Sequence, residues 1–187
     1  RIANERRATP GWRVERLPDD PAAILMHPKA GHPILLMAGR QIITAEKLEI
    51  LALATTGQFA DGVAAEEVLN KLLAANVPAV MPWGVGKWIG ARGKLVTRLL
   101  DTFGGNPGVM LDVPVLTGSD PLPIPGAEKA VGRFGIELPN TISDATPAAD
   151  LRKMLTELRG QPQVFGARSG PFGMIQDQIA LRTKRQN

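Results

Sequence analysis

Met81-Pro82-Trp83-Gly84-Val85-Gly86-Lys87-Trp88-Ile89-Gly90-Ala91-Arg92-Gly93-Lys94-Leu95-Val96, continuing through residues 97–103, Gly104-Gly105 and Val109-Met110-Leu111-Asp112-Val113, is the stretch that organises the chain. Val96, Leu99, Leu100 and Phe103 recur at helical spacing, which predicts a helix over Lys94–Phe103. Glycine inside a helix costs about 1 kcal/mol relative to alanine. Gly90 and Gly93 therefore favour helix, loop, helix over one long basic helix. The apolar run 109–113 reads as a strand.

Such a loop has a chemical use. A helix N-terminus presents backbone N–H groups that the helix itself does not satisfy, at the positive end of its dipole, and so favours a phosphate. Glycines there remove the Cβ atoms that would hold a sugar-phosphate chain at a distance. Arg92 and Lys94 add full charges. Ile89, Val96 and strand 109–113 are candidates for the floor of a groove against which bases would pack.

The order of these parts resembles the K-homology (KH) domain. Met81-Pro82, Val85-Gly86, Ile89-Gly90-Ala91-Arg92-Gly93, the helix, Gly104 and the strand follow one another as in that family. In KH domains a Gly-x-x-Gly loop clamps the backbone of about four nucleotides. The resemblance implies that Gly90, Ala91, Arg92 and Gly93 form the clamp, with Lys87, Lys94 and Arg98 as phosphate contacts. It further implies a type I-like unit over residues 77–160: a first strand at 79–81, a first helix at 82–89, an edge strand at 131–138 and a closing helix at 147–159. The first helix is short and holds Gly84 and Gly86, and the loop 114–130 is long and proline-rich.

Working outward, the expected class is α+β: a small sheet with packed helices, an N-terminal strand and helix region, and extended arms. Residues 1–23 read as an extended basic arm with a short strand around 12–17. Residues 24–76 read as strands at 24–26 and 34–37 followed by two helices. The first of these helices would be capped by Thr44 and ended by Gly57, and the second would run over 63–75. Thr146-Pro147 is a strong helix start, with Leu151, Met154, Leu155 and Leu158 on one face. Residues 161–187 form a C-terminal extension with a basic tail, and 174–182 suit a strand or helix.

The chain has 187 residues, 44% of them hydrophobic, enough for a real core. Tyrosine is absent, and 20 glycines and 16 prolines predict much turn and extended chain. With no cysteine, disulfides and thiolate chemistry are excluded. No apolar run is long enough to span a bilayer, so no membrane partner is expected. The net charge is +4, and it is unevenly placed. Residues 83–98 carry Lys87, Arg92, Lys94 and Arg98 with no acid, whereas 101–150 hold seven acids and two bases. Basic clusters also mark both ends, which suits a polyanionic partner.

Other chemistry is weakly indicated. Gly84-Val85-Gly86-Lys87 lacks phosphate-loop spacing, because Trp88 stands where Ser or Thr is needed. His27 and His32 lack nearby companion ligands, and no serine has a histidine context. Trp83 and Trp88 suit either base stacking or core packing. No cofactor, metal or enzymatic activity is expected. The expected function is binding of single-stranded nucleic acid, RNA more than DNA, in the cytoplasm. The alternative is a structural or assembly subunit of a large complex such as a bacteriophage virion, packing on neighbouring subunits through its arms.

Overall fold

The computed structural model describes residues 11–82, 89–106, 108–110, 116, 118 and 127–167. They form an α+β protein of two compact units, one drawn from Arg1–Val113 with Asn140–Leu158, the other from Pro114–Pro139 with Arg159–Asn187.

Among its described residues the first unit contains two sheets. In one, β1 (Trp12–Arg16), β2 (Ala23–Pro28) and β3 (Ile34–Met37) run antiparallel in that order. The strands expected around 12–17, 24–26 and 34–37 are all present. In the other, β4 (Gly39–Ile43), β5 (Glu49–Leu53), β6 (Ala79–Val80) and β7 (Val109–Met110) lie in chain order. The first three are antiparallel, but β6 and β7 are parallel, with Ala79 opposite Val109. Parallel neighbours need a crossover, and a helix in 91–103 supplies it.

The helix expected after Thr44 is not there, and this corrects the reading of 24–76 as holding two helices. Residues 39–53 form a hairpin. The burial pattern explains why: Ile42, Thr44, Leu48, Ile50, Ala52 and Ala54 are all buried, a period of two with a turn between. Thr44 caps that turn instead of a helix. Its amide donates to the Leu48 carbonyl at 2.9 Å, and its hydroxyl oxygen accepts from the Leu48 amide at 3.2 Å. Lys47 takes φ 64° to close it.

Among the described residues three helices complete the unit. α1 (Ala65–Ala74) buries Val68, Leu69 and Leu72, and α2 (Ala91–Phe103) buries Leu95, Val96, Leu99 and Phe103. Both join Ile42, Ile50, Ala52, Ala79 and Val109 in one core, so they pack on the β4–β7 sheet. α3 (Pro147–Glu157) belongs to a second core with Leu17, Ala22, Ala23 and Ala54, joined by Leu35 and Met37 of β3. Thr146 makes no side-chain cap to α3. Asp20, only 5% exposed, replaces it from the turn after β1. One of its oxygens accepts the Ala148 amide at 2.6 Å and the Ala149 amide at 3.4 Å. The other accepts the Ala22 amide at 3.2 Å.

In the second unit, β8 (Phe134–Ile136) pairs antiparallel with β9 (Val164–Gly166), preceded by a 3-10 turn over Ala127–Ala130. The strand expected at the edge of a 77–160 sheet therefore pairs with 164–166 instead. Its amide and carbonyl groups are satisfied there, as in Glu137 N–H to the Gln163 carbonyl at 2.8 Å. Among the described residues no helix is long and apolar enough to cross a membrane. Residues 83–88 of the expected first helix, most of the loop 114–130, the outermost ten N-terminal residues and the segment 174–182 with the basic tail lie outside the described residues.

Candidate nucleic-acid interface

The β6–α2–β7 unit fixes the candidate site. The chain leaves β6 at its carboxyl end, where ligands gather in sheets with parallel strands. It returns at Ile89 and Gly90 to open α2. Gly90 takes φ 67° and ψ −133°, a conformation that a residue with a Cβ rarely adopts. It is exposed, and a Cβ built there would meet nothing, so the approach to the helix end is open. Ala91, Arg92 and Gly93 form the first turn of α2, and the first intrahelical bond runs from the Lys94 amide to the Gly90 carbonyl at 3.1 Å. The helix thus begins three residues earlier than the spacing of its apolar side chains predicts. Only Gly90 of the Gly-x-x-Gly sequence is outside it.

The charges at this end run against the helix dipole. The first turn of α2 holds no acid, while Arg92 and Lys94 are among its first four residues. Beside them lies a recess of about 400 Å³ lined by Glu46, Ala91, Arg92, Lys94, Leu95 and Arg98. A larger depression of about 540 Å³ runs along α1, lined by Glu66, Glu67, Asn70 and Lys71. Its acids make it the poorer host for an anion, and Lys71 is already paired with Glu67 at 2.7 Å.

Of the expected contacts, the structure brings Arg92, Lys94 and Arg98 together with Ala91 at the recess, and sets Gly90 and Ile89 at its approach. Ile89 is 71% exposed, an apolar side chain presented to solvent. Val96 is not part of the surface. It is 3% exposed and packs in the core beside Val109, so its place in a groove floor is corrected. On α2 the residues pointing inward are 95, 96, 99 and 103, and position 96 falls on that stripe. Lys87, Trp83 and Trp88 lie outside the described residues.

Glu46 is the lining residue that the sequence reading missed. It sits in the β4–β5 turn and both its oxygens face the Ala65 amide, at 3.0 and 3.4 Å, so it caps α1 across the core. Burial pushes its carboxyl up, but hydrogen bonds from its own amide, the Thr44 hydroxyl and the Ala65 amide outweigh this, with Arg98 helping. The net effect holds it below its ordinary value of 4.5. The signal that could have found it was the alternation on either side of Thr44-Ala45-Glu46-Lys47, which makes those four residues a turn.

His27 does other work. His27 lies 2.9 Å from Glu15, whose carboxyl is held low mainly by that hydrogen bond, against the opposing effect of burial, with Arg13 adding to it. Among the described residues no three His, Asp or Glu side chains group as a metal-ligand set. No family model matches the chain, and no curated protein and no solved structure matches it.

Proposed function

We propose that this chain binds single-stranded nucleic acid, RNA in preference to DNA, by receiving backbone phosphate at the N-terminus of α2. What supports the reading is one observation. An open helix end, entered through a positive-φ glycine and with no acid in its first turn, gathers Arg92, Lys94 and Arg98 around a recess that Glu46 also lines. The dipole of a helix N-terminus favours a phosphate placed there. The proposal rests on the local unit 79–110 and its KH-like spacing, not on a complete KH sheet. It is a binding role, with no catalytic step.

The test is a fluorescence anisotropy titration with short single-stranded RNA and DNA at several salt concentrations. Three phosphate contacts predict a log–log slope of about −2. Binding that is absent at low salt, or insensitive to salt, overturns the proposal.

A second reading, an assembly subunit, is favoured by a separate feature. Val14, Ile34 and Leu36 are 52%, 47% and 46% exposed on the β1–β3 sheet. Val14 and Ile34 flank Met26 in one cross-strand row, and Leu36 lies opposite Ile24 on the same face. An apolar row open to water suits contact with other subunits. A chain that remains monomeric in size-exclusion chromatography at high concentration removes this reading.

A further inference from the structure

The second unit carries an aromatic surface that the α2 site does not use. β8 and β9 pair so that Gly135 stands opposite Phe165. Paired residues put their side chains on one face, so Phe165 shares its face with Gly135, while Phe134, Ile136 and Val164 lie on the other. The ladder continues one step, with the Glu137 amide bonded to the Gln163 carbonyl, so these two fall on the Phe165 face as well. The ring lies across the glycine: a Cβ at position 135 would meet ring carbons Cε1 and Cζ at 2.8 Å. One side of the ring is thus backed by β8. Phe165 is nonetheless 39% exposed, and it is the one exposed aromatic side chain among the described residues. Its surroundings are polar. Glu137 and Gln163 are exposed, and so is Arg133, two positions before Gly135.

An aromatic laid over a glycine can serve packing alone, by covering the gap in a short ribbon. That role does not require an open ring. A broad apolar patch would suit a protein partner, but here a single ring stands among polar groups. Such a setting suits a flat ligand with polar edges and a negative charge close by. We propose that Phe165 is a stacking platform for one base of the single strand, with Arg133 placed for a neighbouring phosphate and Gln163 able to donate or accept at the base edge. The inference rests on the nucleic-acid reading above and adds to it a second contact, built wholly within the second unit. Every base has a π-face, so the platform tolerates any sequence.

The experiment uses the whole chain and two eight-nucleotide strands, oligo-deoxyadenosine and an abasic strand with the same phosphodiester backbone. Both offer phosphate to α2, and only the first offers a base to Phe165. Anisotropy should show the base-bearing strand binding about tenfold tighter, the size of one stacked base. Amide NMR resonances of residues 133–137 and 163–165 should shift with that strand and not with the abasic one. Phe165→Leu keeps an apolar cover over Gly135 but has no ring face. It should lower affinity for oligo-deoxyadenosine by about tenfold and leave the abasic strand unchanged, whereas Phe165→Trp should hold or raise affinity for the base-bearing strand. Equal binding of the two strands by the wild-type chain overturns the inference, and so does a base preference that survives Phe165→Leu. Should Phe165→Leu fail to fold, the wild-type resonances decide. If those of 133–137 and 163–165 stay in place when the base-bearing strand binds, the platform is overturned and the ring is left to a protein partner. Failure of both strands to bind at low salt is a different result: it removes the nucleic-acid reading itself, and this inference with it.

Discussion

Among the described residues, carboxylates accept amides at the N-termini of α1 and α3, whereas the first turn of α2 holds no acid. Glu46 reaches α1 from a turn that precedes it by 19 residues, and Asp20 reaches α3 from 128 residues away. Each of those helices adds acids in its first turn, Glu66 and Glu67 in α1 and Asp150 in α3. The Asp150 carboxyl is itself held low, chiefly by the Ser143 hydroxyl and then the Ser143 amide. α2 opens instead on a glycine with no side chain and two early cations. A chain that twice brings a distant carboxylate to a helix end, and once places two cations in the first residues of the helix instead, distinguishes helix ends that stabilise from one suited to a ligand.

The contrast can be broken at several points. The largest effect is expected from making α2 resemble α1. Ala91→Asp with Arg92→Asp should weaken oligonucleotide binding by on the order of a hundredfold or more. The same pair should raise stability by about 0.5–1 kcal/mol, because acids in a first turn complement the dipole. Anisotropy and urea denaturation read the two effects, and retained affinity would end the contrast. Asp20→Ala works in the opposite sense, opening the end of α3. It leaves buried amides without their acceptor and should cost about 2 kcal/mol in urea denaturation, with Asp20→Asn costing less. A loss below measurement error would mean that the cap contributes nothing.

Gly90→Ala should cost about 1–2 kcal/mol through backbone strain alone, since the space beside it is empty. A neutral result would show that the entry to α2 relaxes easily. The smallest effect concerns pH. The Glu46 carboxyl is held below its ordinary 4.5, so its contribution is present above that value and is lost as pH falls through the lowered folded value. Glu46→Gln should therefore flatten the fall in stability between about pH 5 and pH 3. After screening by solvent, the difference should be less than about 1 kcal/mol.

The sequence carried α1, α2 and α3 plainly, because each has an apolar stripe at helical spacing and a clear stop. It misread 44–57 because Leu48 and Leu51 stand three apart, as on a helix face, whereas the buried positions 48, 50, 52 and 54 recur every second residue. The decision was made by Ile42 and Ala54, whose burial is visible only once the hairpin is closed. Thr146-Pro147 did mark a helix start, but its cap lies far away in sequence, and no local pattern reveals a carboxylate at Asp20. At the candidate site, Arg92, Lys94 and Arg98 were legible as a basic run. Val96 was not separable from them, because one residue along a helix turns a side chain from water to core. Glu46 was invisible as a neighbour of α2 for the same reason as Asp20: its role comes from the sheet that brings it there.

The bond from Asp20 to the start of α3 also sets an order of events during synthesis. At about 5–20 residues per second, the partners of that carboxylate leave the ribosome on the order of ten seconds after it does. Until then Asp20 must stay hydrated on a nascent hairpin whose small apolar residues have no helix to cover them. The N-terminal sheet is therefore expected to reach its final protection from amide exchange only when α3 docks, late and all at once.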